Sequence, residues 1–205
     1  MTDDDVAPIR IVIAEDEAII RLDLRESLEA EGYIVVGETG RGDEAVELSR
    51  ALKPDVVILD IKMPGLTGIE AAEIINKENI AAVLLLTAFS QRDLIQDASQ
   101  AGALAYLVKP FQRSELVPSI ELAIGRFQEI IALKKENDDL LENLETRKVV
   151  DRAKGALMDQ YGLKEKDAYR YLQKKAMEKR SPMKEVAKSI LEGDNGSLHK
   201  SISGE

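Results

Sequence analysis

The sequence predicts an α/β domain with a five-stranded, doubly wound parallel sheet, followed by a long helix and a small all-α domain of three helices. Apolar runs alternate with amphipathic stretches through the first part of the chain. Three of these runs, ending at Ala14, Leu59 and Leu86, are continuously apolar, as expected for strands buried on both faces. After Ser114 the pattern becomes helical, and the last third of the chain is basic.

The strands and helices of the first domain are bounded by glycine and proline. We expect strands near 9–14, 33–37, 55–60, 82–87 and 104–108, and helices near 18–31, 41–52, 68–77, 91–101 and from 113 onward. In the flavodoxin-like strand order 2-1-3-4-5, the order reverses between the first and third strands. Ligands bind at such a reversal, beside the carboxyl ends of the strands, so we expect the functional site there.

Reactive polar residues end four of the apolar runs. Glu15 and Asp16 follow the first strand, Asp60 the third, Thr87 the fourth and Lys109 the fifth. The carboxyl ends of parallel strands meet at one edge of a sheet, so these side chains are expected to converge. Three neighbouring carboxylates repel one another unless a hard cation lies among them, and Mg²⁺ prefers such oxygen ligands.

This group of side chains has the chemistry needed to form an aspartyl phosphate. A carboxylate beside a metal can act as a nucleophile and form an aspartyl phosphate. Mg²⁺ held by Glu15, Asp16 and Asp60 would neutralise the phosphoryl oxygens during transfer. Lys109 would pair with the phosphoryl group as a point charge, and Thr87 would donate its hydroxyl to a phosphoryl oxygen.

Residues 9–125 resemble the receiver domain of two-component response regulators. The matching motifs are Glu15-Asp16, Asp60-Ile61-Lys62-Met63-Pro64-Gly65-Leu66-Thr67-Gly68, Thr87-Ala88 and Lys109-Pro110-Phe111. The resemblance implies phosphotransfer from a histidine kinase to Asp60, with Mg²⁺ at Asp16, Asp60 and the Lys62 carbonyl. It also implies that Thr87 and Tyr106 respond to the phosphoryl group, and that the switched surface covers about 91–125.

The same resemblance implies a phosphoacceptor that catalyses only its own phosphoryl uptake and loss, not an enzyme. A phosphatase-class enzyme would share the metal and aspartate chemistry. Such an enzyme is disfavoured because Lys62, two residues after Asp60, provides no carboxyl group for general acid–base catalysis.

A long helix is expected from Ser114 to about Tyr161, with Gly125 as its only weak position. Heptad spacing relates five of its residues, Ile130, Leu133, Asn137, Leu140 and Leu144. A polar Asn within such a repeat fixes the register of a two-stranded coiled coil. A plain amphipathic connecting helix explains the spacing equally well.

Charge divides the chain into two parts. Residues 1–145 hold 14 basic and 29 acidic side chains, a net charge of −15, whereas residues 146–190 hold 13 and 6, a net charge of +7. A basic segment attached to an acidic body indicates a polyanionic partner. We expect a receiver domain at 1–125, a helical linker at 126–145, a three-helix domain at 146–192 and a flexible tail at 193–205.

Each of the three C-terminal helices is expected to bury one apolar face. These faces contain Val150, Ala153, Leu157 and Tyr161, then Ala168, Tyr169, Leu172 and Ala176, and finally Met183, Val186, Ala187 and Ile190. Ser181 is the expected N-cap of the third helix, with Pro182 in its first turn.

Basic residues at helical spacing make this segment a candidate nucleic-acid interface. The candidate contact residues are Arg147, Lys154, Gly155, Lys166, Arg170, Tyr171, Lys174 and Lys184. We expect Tyr169 on the core face and Tyr171 directed outward, where it could stack on unpaired bases. Composition leaves open binding to RNA, binding to duplex DNA and a protein-interaction output.

Residues 140–192 resemble the ANTAR domain. The matching motifs are Arg152-Ala153-Lys154-Gly155-Ala156-Leu157-Met158, Asp167-Ala168-Tyr169-Arg170-Tyr171-Leu172, Ala176 and Met183-Lys184-Glu185-Val186-Ala187. The resemblance implies binding to hairpin RNA in nascent transcripts, so that transcription continues past a terminator. It is consistent with a homodimer that forms on activation.

Composition also sets limits on location and chemistry. The chain has no Cys, which excludes disulfides, thiol nucleophiles and Cys-based zinc sites. No apolar run approaches the ~20 residues needed to span a bilayer, and the acidic start has no signal-peptide pattern. We therefore expect a cytoplasmic protein with no membrane partner. The only histidine, His199, is expected to be catalytically idle.

Overall fold

A computed structural model describes residues 7–88 and 102–192 of the 205-residue chain. The helix expected near 91–101, which is part of the expected switched surface, lies outside the described residues. The expected tail at 193–205 with His199 does so as well.

Five parallel strands form one sheet in the order β2-β1-β3-β4-β5, which confirms the predicted fold class. The strands are β1 (Arg10–Ala14), β2 (Ile34–Thr39), β3 (Val56–Asp60), β4 (Ala82–Ala88) and β5 (Ala105–Lys109). Each lies within two residues of its predicted bounds. The order reverses between β1 and β3, so their carboxyl ends flank the predicted site.

Six helices are present in the described residues. They are α1 (Ala18–Ala30), α2 (Gly42–Leu52), α3 (Gly68–Lys77), α4 (Arg113–Tyr161), α5 (Glu165–Lys179) and α6 (Met183–Leu191). A capping box starts α3: the backbone N–H of Glu70 donates to the Thr67 hydroxyl, and the Thr67 N–H donates to the Glu70 carboxylate. This cap fixes the chain where it leaves the loop that follows Asp60.

The sheet has a separate apolar layer on each face. Ile11 and Ile13 of β1 pack on the side of α1 and the start of α4, whereas Val12 and Ala14 pack on the side of α2 and α3. β3 is buried along its whole length. Burial on both faces explains why these strands are continuously apolar up to the polar residue that ends them.

Helix α4 runs unbroken for 49 residues and contains Pro118. Gly125 was the only weak position predicted in this helix, and Pro118 is a second one that was not predicted. Pro118 has no N–H to donate to the Ser114 carbonyl, but it lies in the second helical turn, so only one bond near the helix start is lost. Further along α4 an apolar row is exposed, comprising Ile130, Leu133, Leu140, Leu141 and Leu144.

The described residues form two compact units that meet in sequence at Ala132 and Leu133. The second unit has its own small core of Val150, Ala153, Leu157, Ala168, Leu172, Val186 and Ala187. The predicted N-cap at Ser181 is wrong by one residue, because α6 begins at Met183 with Pro182 in the N-cap position. The Ser181 hydroxyl donates instead to the Glu185 carboxylate at 2.7 Å.

Candidate functional site

The carboxyl ends of β1 and β3 bring three carboxylates together. Oxygen atoms of Glu15, Asp16 and Asp60 all lie within 4.8 Å of one another. Glu15 and Asp60 are buried, while Asp16 is exposed. The cluster is therefore closed toward the core and open toward solvent on the side of Asp16.

Lys109, at the end of β5, places its ammonium group against this cluster. Its Nζ lies 2.5 Å from Glu15 Oε2 and 2.8 Å from Asp60 Oδ1. The peptide bond from Lys109 to Pro110 is cis. Burial acts to lower the pKa of Lys109, but its close contacts with the carboxylates of Asp60 and Glu15 outweigh burial and raise that pKa. Lys109 is thus held in its charged form.

Burial raises the pKa of Glu15, and the charge of Asp60 acts in the same direction. Lys109 opposes this rise. Glu15 Oε2 is close to Lys109 but accepts no well-directed hydrogen bond, so its buried charge is only partly compensated. Three carboxylates with one ammonium leave an excess of negative charge on hard oxygen donors. This donor set fits a divalent cation such as Mg²⁺.

Three contacts that involve the backbone position the cluster. Gly68 and Lys62 belong to the motif that follows Asp60 in the sequence, whereas Arg21 belongs to none of the matching motifs. Arg21, in the first turn of α1, donates from Nη1 to the Glu15 carbonyl at 2.5 Å and so ties α1 to the loop that carries Asp16. A side chain at Gly68 would collide with the Asp60 carbonyl, so only glycine allows α3 to start this close to β3. The Lys62 N–H donates to Asp60 Oδ2 at 3.2 Å.

The remaining predicted residues of this site differ in burial. Thr87 is buried at the end of β4, which pairs with β3 and β5 on either side. Tyr106 on β5 is 53% exposed, so its ring lies on the outside of the sheet edge and not in the core. Lys62 is exposed in the loop after β3.

The basic residues of the C-terminal unit that were predicted to contact nucleic acid differ in whether a nearby carboxylate neutralises them. Lys154 Nζ lies 2.8 Å from both Asp151 and Glu165, and Lys184 Nζ lies 2.6 Å from Glu145. Lys174 is largely exposed and 3.9 Å from Glu178. Arg147, Lys166 and Arg170 are exposed on α4 and α5, and Gly155 is partly buried on α4.

The predicted orientation of the two tyrosines is wrong. Tyr171 packs against the small core, and Lys175 Nζ lies 5.9 Å from the centre of its ring. Tyr169 is 41% exposed. On a helix, residue 171 lies three positions after Ala168 and next to Leu172, so it shares their buried face, whereas residue 169 lies at the margin of that face.

Two family models match the chain. The model described as response regulator receiver domain matches residues 11–121, and the model described as ANTAR domain matches residues 138–191. Neither is an enzyme family. The chain therefore belongs to the response regulators, with a receiver domain joined to an ANTAR domain.

Among characterised relatives, the chain is similar to the transcriptional regulatory protein PdtaR of Mycobacterium tuberculosis. The two are 56% identical over 192 residues, which cover 93% of this chain and 94% of that protein. The similarity thus includes both domains and the segment between them.

Solved receiver domains share the first unit of the fold. That of the putative response regulator NarL from Mycobacterium tuberculosis is 31% identical, with a TM-score of 0.55, over 58% of this chain and 97% of that one. That of the sensor histidine kinase PA1611 from Pseudomonas aeruginosa is 28% identical, with a TM-score of 0.53, over 58% and 98%. The latter structure has a magnesium ion coordinated in its active site cleft.

No helix within residues 7–88 and 102–192 combines the length and the apolar character that crossing a membrane requires.

Proposed function

We propose that a histidine kinase phosphorylates this protein on Asp60, and that phosphorylation controls an RNA-binding output that antiterminates transcription in the cytoplasm. One observation carries the phosphoacceptor assignment: Lys109 lies between Asp60 and Glu15, beside the third carboxylate of Asp16. In this proposal residues 1–125 receive the signal, 126–145 connect and 146–192 deliver the output. The ANTAR match and the net charge of +7 on residues 146–190 support the RNA part.

The proposed reaction moves a phosphoryl group from nitrogen to oxygen. A carboxylate oxygen of Asp60 attacks the phosphorus of the kinase phosphohistidine; the new P–O bond forms as the P–N bond breaks, and the imidazole leaves. Glu15, Asp16, Asp60 and the Lys62 carbonyl would hold Mg²⁺, which when bound neutralises charge on the phosphoryl oxygens. Lys109 would exchange its contact with Asp60 for one with a phosphoryl oxygen. Thr87 would donate its hydroxyl to another, and Tyr106 would respond by changing its exposure.

A surface beside the site suits a kinase partner. A depression of about 540 Å³ opens next to Lys109, lined by Glu17, Ile19, Ile20, Asp23, Lys109, Pro110 and Phe111. Ile19 is 84% exposed, and Ile20, Pro110 and Phe111 line the same depression, so the surface offers several adjacent apolar contacts to a partner. We infer that the kinase domain carrying the phosphohistidine docks here, because this surface borders the attacking carboxylate.

The exposed leucines of α4 support a homodimer as the active form. Leu133, Leu140 and Leu144 are each more than half exposed and repeat at heptad spacing around Asn137. Two copies of this row could bury one another in a parallel coiled coil, with the two asparagines paired to fix the register.

Substitution of the phosphoacceptor tests the first part of the proposal. Asp60→Asn should abolish uptake of labelled phosphate from the phosphorylated kinase, because an amide oxygen is not a nucleophile of comparable strength. Asp138→Asn, which makes the same chemical change on the exposed part of α4, should take up phosphate as the wild type does. Retained uptake by Asp60→Asn would disprove the assignment.

Sequencing of RNA crosslinked to the protein tests the second part. Hairpin-containing leader transcripts should be enriched with the phosphorylated wild type and not with Asp60→Asn. Competition between hairpin RNA and duplex DNA at matched salt distinguishes the main alternative, and a preference for the DNA would overturn the RNA assignment.

A further inference from the structure

Arg21, in the first turn of α1, differs from three other arginines of the receiver unit in what it binds. Arg25, Arg41 and Arg50 each lie within 3.0 Å of a carboxylate oxygen. Arg21 is partly buried, yet it forms no ion pair within the part of the chain that the structure describes. It donates from Nη1 to the Glu15 carbonyl at 2.5 Å. A guanidinium that bonds a backbone carbonyl and no carboxylate contributes by placing that backbone.

The backbone that Arg21 holds is the peptide unit between Glu15 and Asp16. The carbonyl of this unit accepts from Arg21, and the N–H of Glu15 donates to the Thr39 carbonyl at 3.0 Å. Gly40 lies against the same backbone, because a Cβ there would be 3.5 Å from both Asp16 Cα and Arg21 Nη1. A peptide unit is planar, so fixing its carbonyl also fixes the orientation of the bond that leads into Asp16.

Asp16 is the carboxylate of the cluster that depends most on its backbone. Glu15 and Asp60 are buried, and both contact Lys109 Nζ. The Asp16 carboxylate is exposed, and among the described residues it forms no hydrogen bond and no ion pair. Side-chain contacts therefore hold two of the three carboxylates, whereas the backbone conformation determines where the third one lies.

The position of Asp16 matters for the choice of cation. Mg²⁺ requires near-ideal octahedral geometry at about 2.1 Å, whereas Ca²⁺ accepts flexible arrangements of oxygen atoms at longer distances. A displaced carboxylate should therefore weaken the binding of Mg²⁺ more than the binding of Ca²⁺. The positive charge of Arg21 itself opposes the binding of either cation. Arg21 can favour binding only through the position that it imposes on Asp16.

We propose that Arg21 is a positioning residue for the metal: it holds the peptide unit between Glu15 and Asp16 so that the Asp16 carboxylate is directed at Mg²⁺. This inference rests on the proposed function, which includes Mg²⁺ at this site. It assigns to Arg21 a role in the affinity for Mg²⁺ and in the preference for Mg²⁺ over Ca²⁺.

Isothermal titration calorimetry of the full chain with MgCl₂, without a phosphodonor, tests the role in affinity. Arg21→Met should weaken Mg²⁺ binding by about 10-fold, as expected for loss of a group that orients a metal ligand. Removal of the charge alone would strengthen binding, so the sign of the change distinguishes position from electrostatics. Arg21→Lys keeps a donor and should recover part of the affinity. Arg25→Met, which removes a cation from the next turn of α1, should bind Mg²⁺ as the wild type does.

Titration with CaCl₂ tests the preference between the two ions. Ca²⁺ binding by Arg21→Met should weaken by less than about threefold, because the flexible coordination of Ca²⁺ tolerates a displaced carboxylate. A general loss of folded protein would affect both ions alike. Circular dichroism without metal checks that each variant is folded. Arg21→Gln, whose side chain is shorter than that of arginine, offers a second variant if Arg21→Met fails to fold.

The outcomes separate this inference from the function on which it rests. If the wild type binds no Mg²⁺, the metal part of the proposed function fails, and the role of Arg21 fails with it. If the wild type binds Mg²⁺ and Arg21→Met binds it equally well or more tightly, the role of Arg21 is wrong and the metal site stands. Equal losses for Mg²⁺ and Ca²⁺ would overturn the preference assigned to Arg21.

Discussion

Each of the two units contains a lysine held between two carboxylates, and the two triads differ mainly in the burial of the acids. Lys109 lies between Glu15 and Asp60, whose side chains are 0% and 11% exposed. Lys154 lies between Asp151 and Glu165, whose side chains are 54% and 72% exposed. The two lysines themselves are almost equally exposed, at 17% and 16%.

This difference decides what each triad can do. Water screens the acids around Lys154, so the ion pairs position side chains and store little energy. At Lys109 the low dielectric around Glu15 makes an uncompensated charge costly. Binding a cation among the carboxylates would therefore stabilise this cluster, and so would a bound anionic group that pairs with Lys109. The same residue types therefore form a buried charged cluster in one unit and an exposed group of ion pairs in the other.

The largest expected effect follows from removing the buried ammonium. Lys109→Met should destabilise the receiver unit by about 3 kcal/mol in the presence of EDTA, because it leaves buried carboxylates without their counter-charge. Hydrogen exchange of the amides in β1 and β3 would measure this loss independently of the helical unit. Exchange in α5 should match that of the wild type. Unchanged protection of β3 would show that the two triads are energetically alike.

Magnesium should produce a slightly smaller effect, in the opposite direction. At a Mg²⁺ concentration about 100-fold above its dissociation constant, the wild-type receiver unit should gain about 2.7 kcal/mol. The gain should be reduced in Asp16→Asn and retained in Asp138→Asn, when unfolding in urea is followed with and without the ion. A comparable gain in the helical unit would contradict the proposed difference, since the acids around Lys154 are too well solvated to need a cation.

The smallest effect is expected at the exposed triad. Lys154→Met should change exchange rates in α4 and α5 by less than about fivefold, because exposed ion pairs contribute little. High salt should reproduce most of this change in the wild type by screening. A loss of protection similar to that of Lys109→Met would show that Lys154 has a structural importance its exposure does not suggest.

The backbone of the receiver unit was well predicted because its signals are local in sequence. Apolar runs ending at Ala14 and Leu59 mark strands buried on both faces, and the residues that follow are carried to one edge by the parallel arrangement. Convergence of the carboxylates therefore followed from strand ends alone. The hydrogen bond from Arg21 to the Glu15 carbonyl could not be predicted in this way, because it depends on the rotamer of a side chain on a different element, α1.

Errors were more frequent in the helical unit, where faces are defined by small angular differences. Tyr169 and Tyr171 are adjacent to the apolar positions Ala168 and Leu172, so periodicity alone could assign either of them to the core. The ion pairs of Lys154 and Lys184 were not predicted for another reason. The carboxylates that neutralise these lysines come from a neighbouring helix or from a different turn of the same helix. Helical spacing predicts a basic stripe without showing which of its charges are already neutralised.

The glycine at the start of α3 has a consequence for genetics. Any substitution of Gly68 would move the Asp60 backbone, because even a methyl group has no room beside that carbonyl. Such an allele would keep every charged residue of the site, and the protein could still accumulate to normal levels. A strain that carries this allele would nevertheless be deficient in signalling. A genetic screen for loss of response should therefore recover substitutions of Gly68 as well as substitutions of the acidic residues.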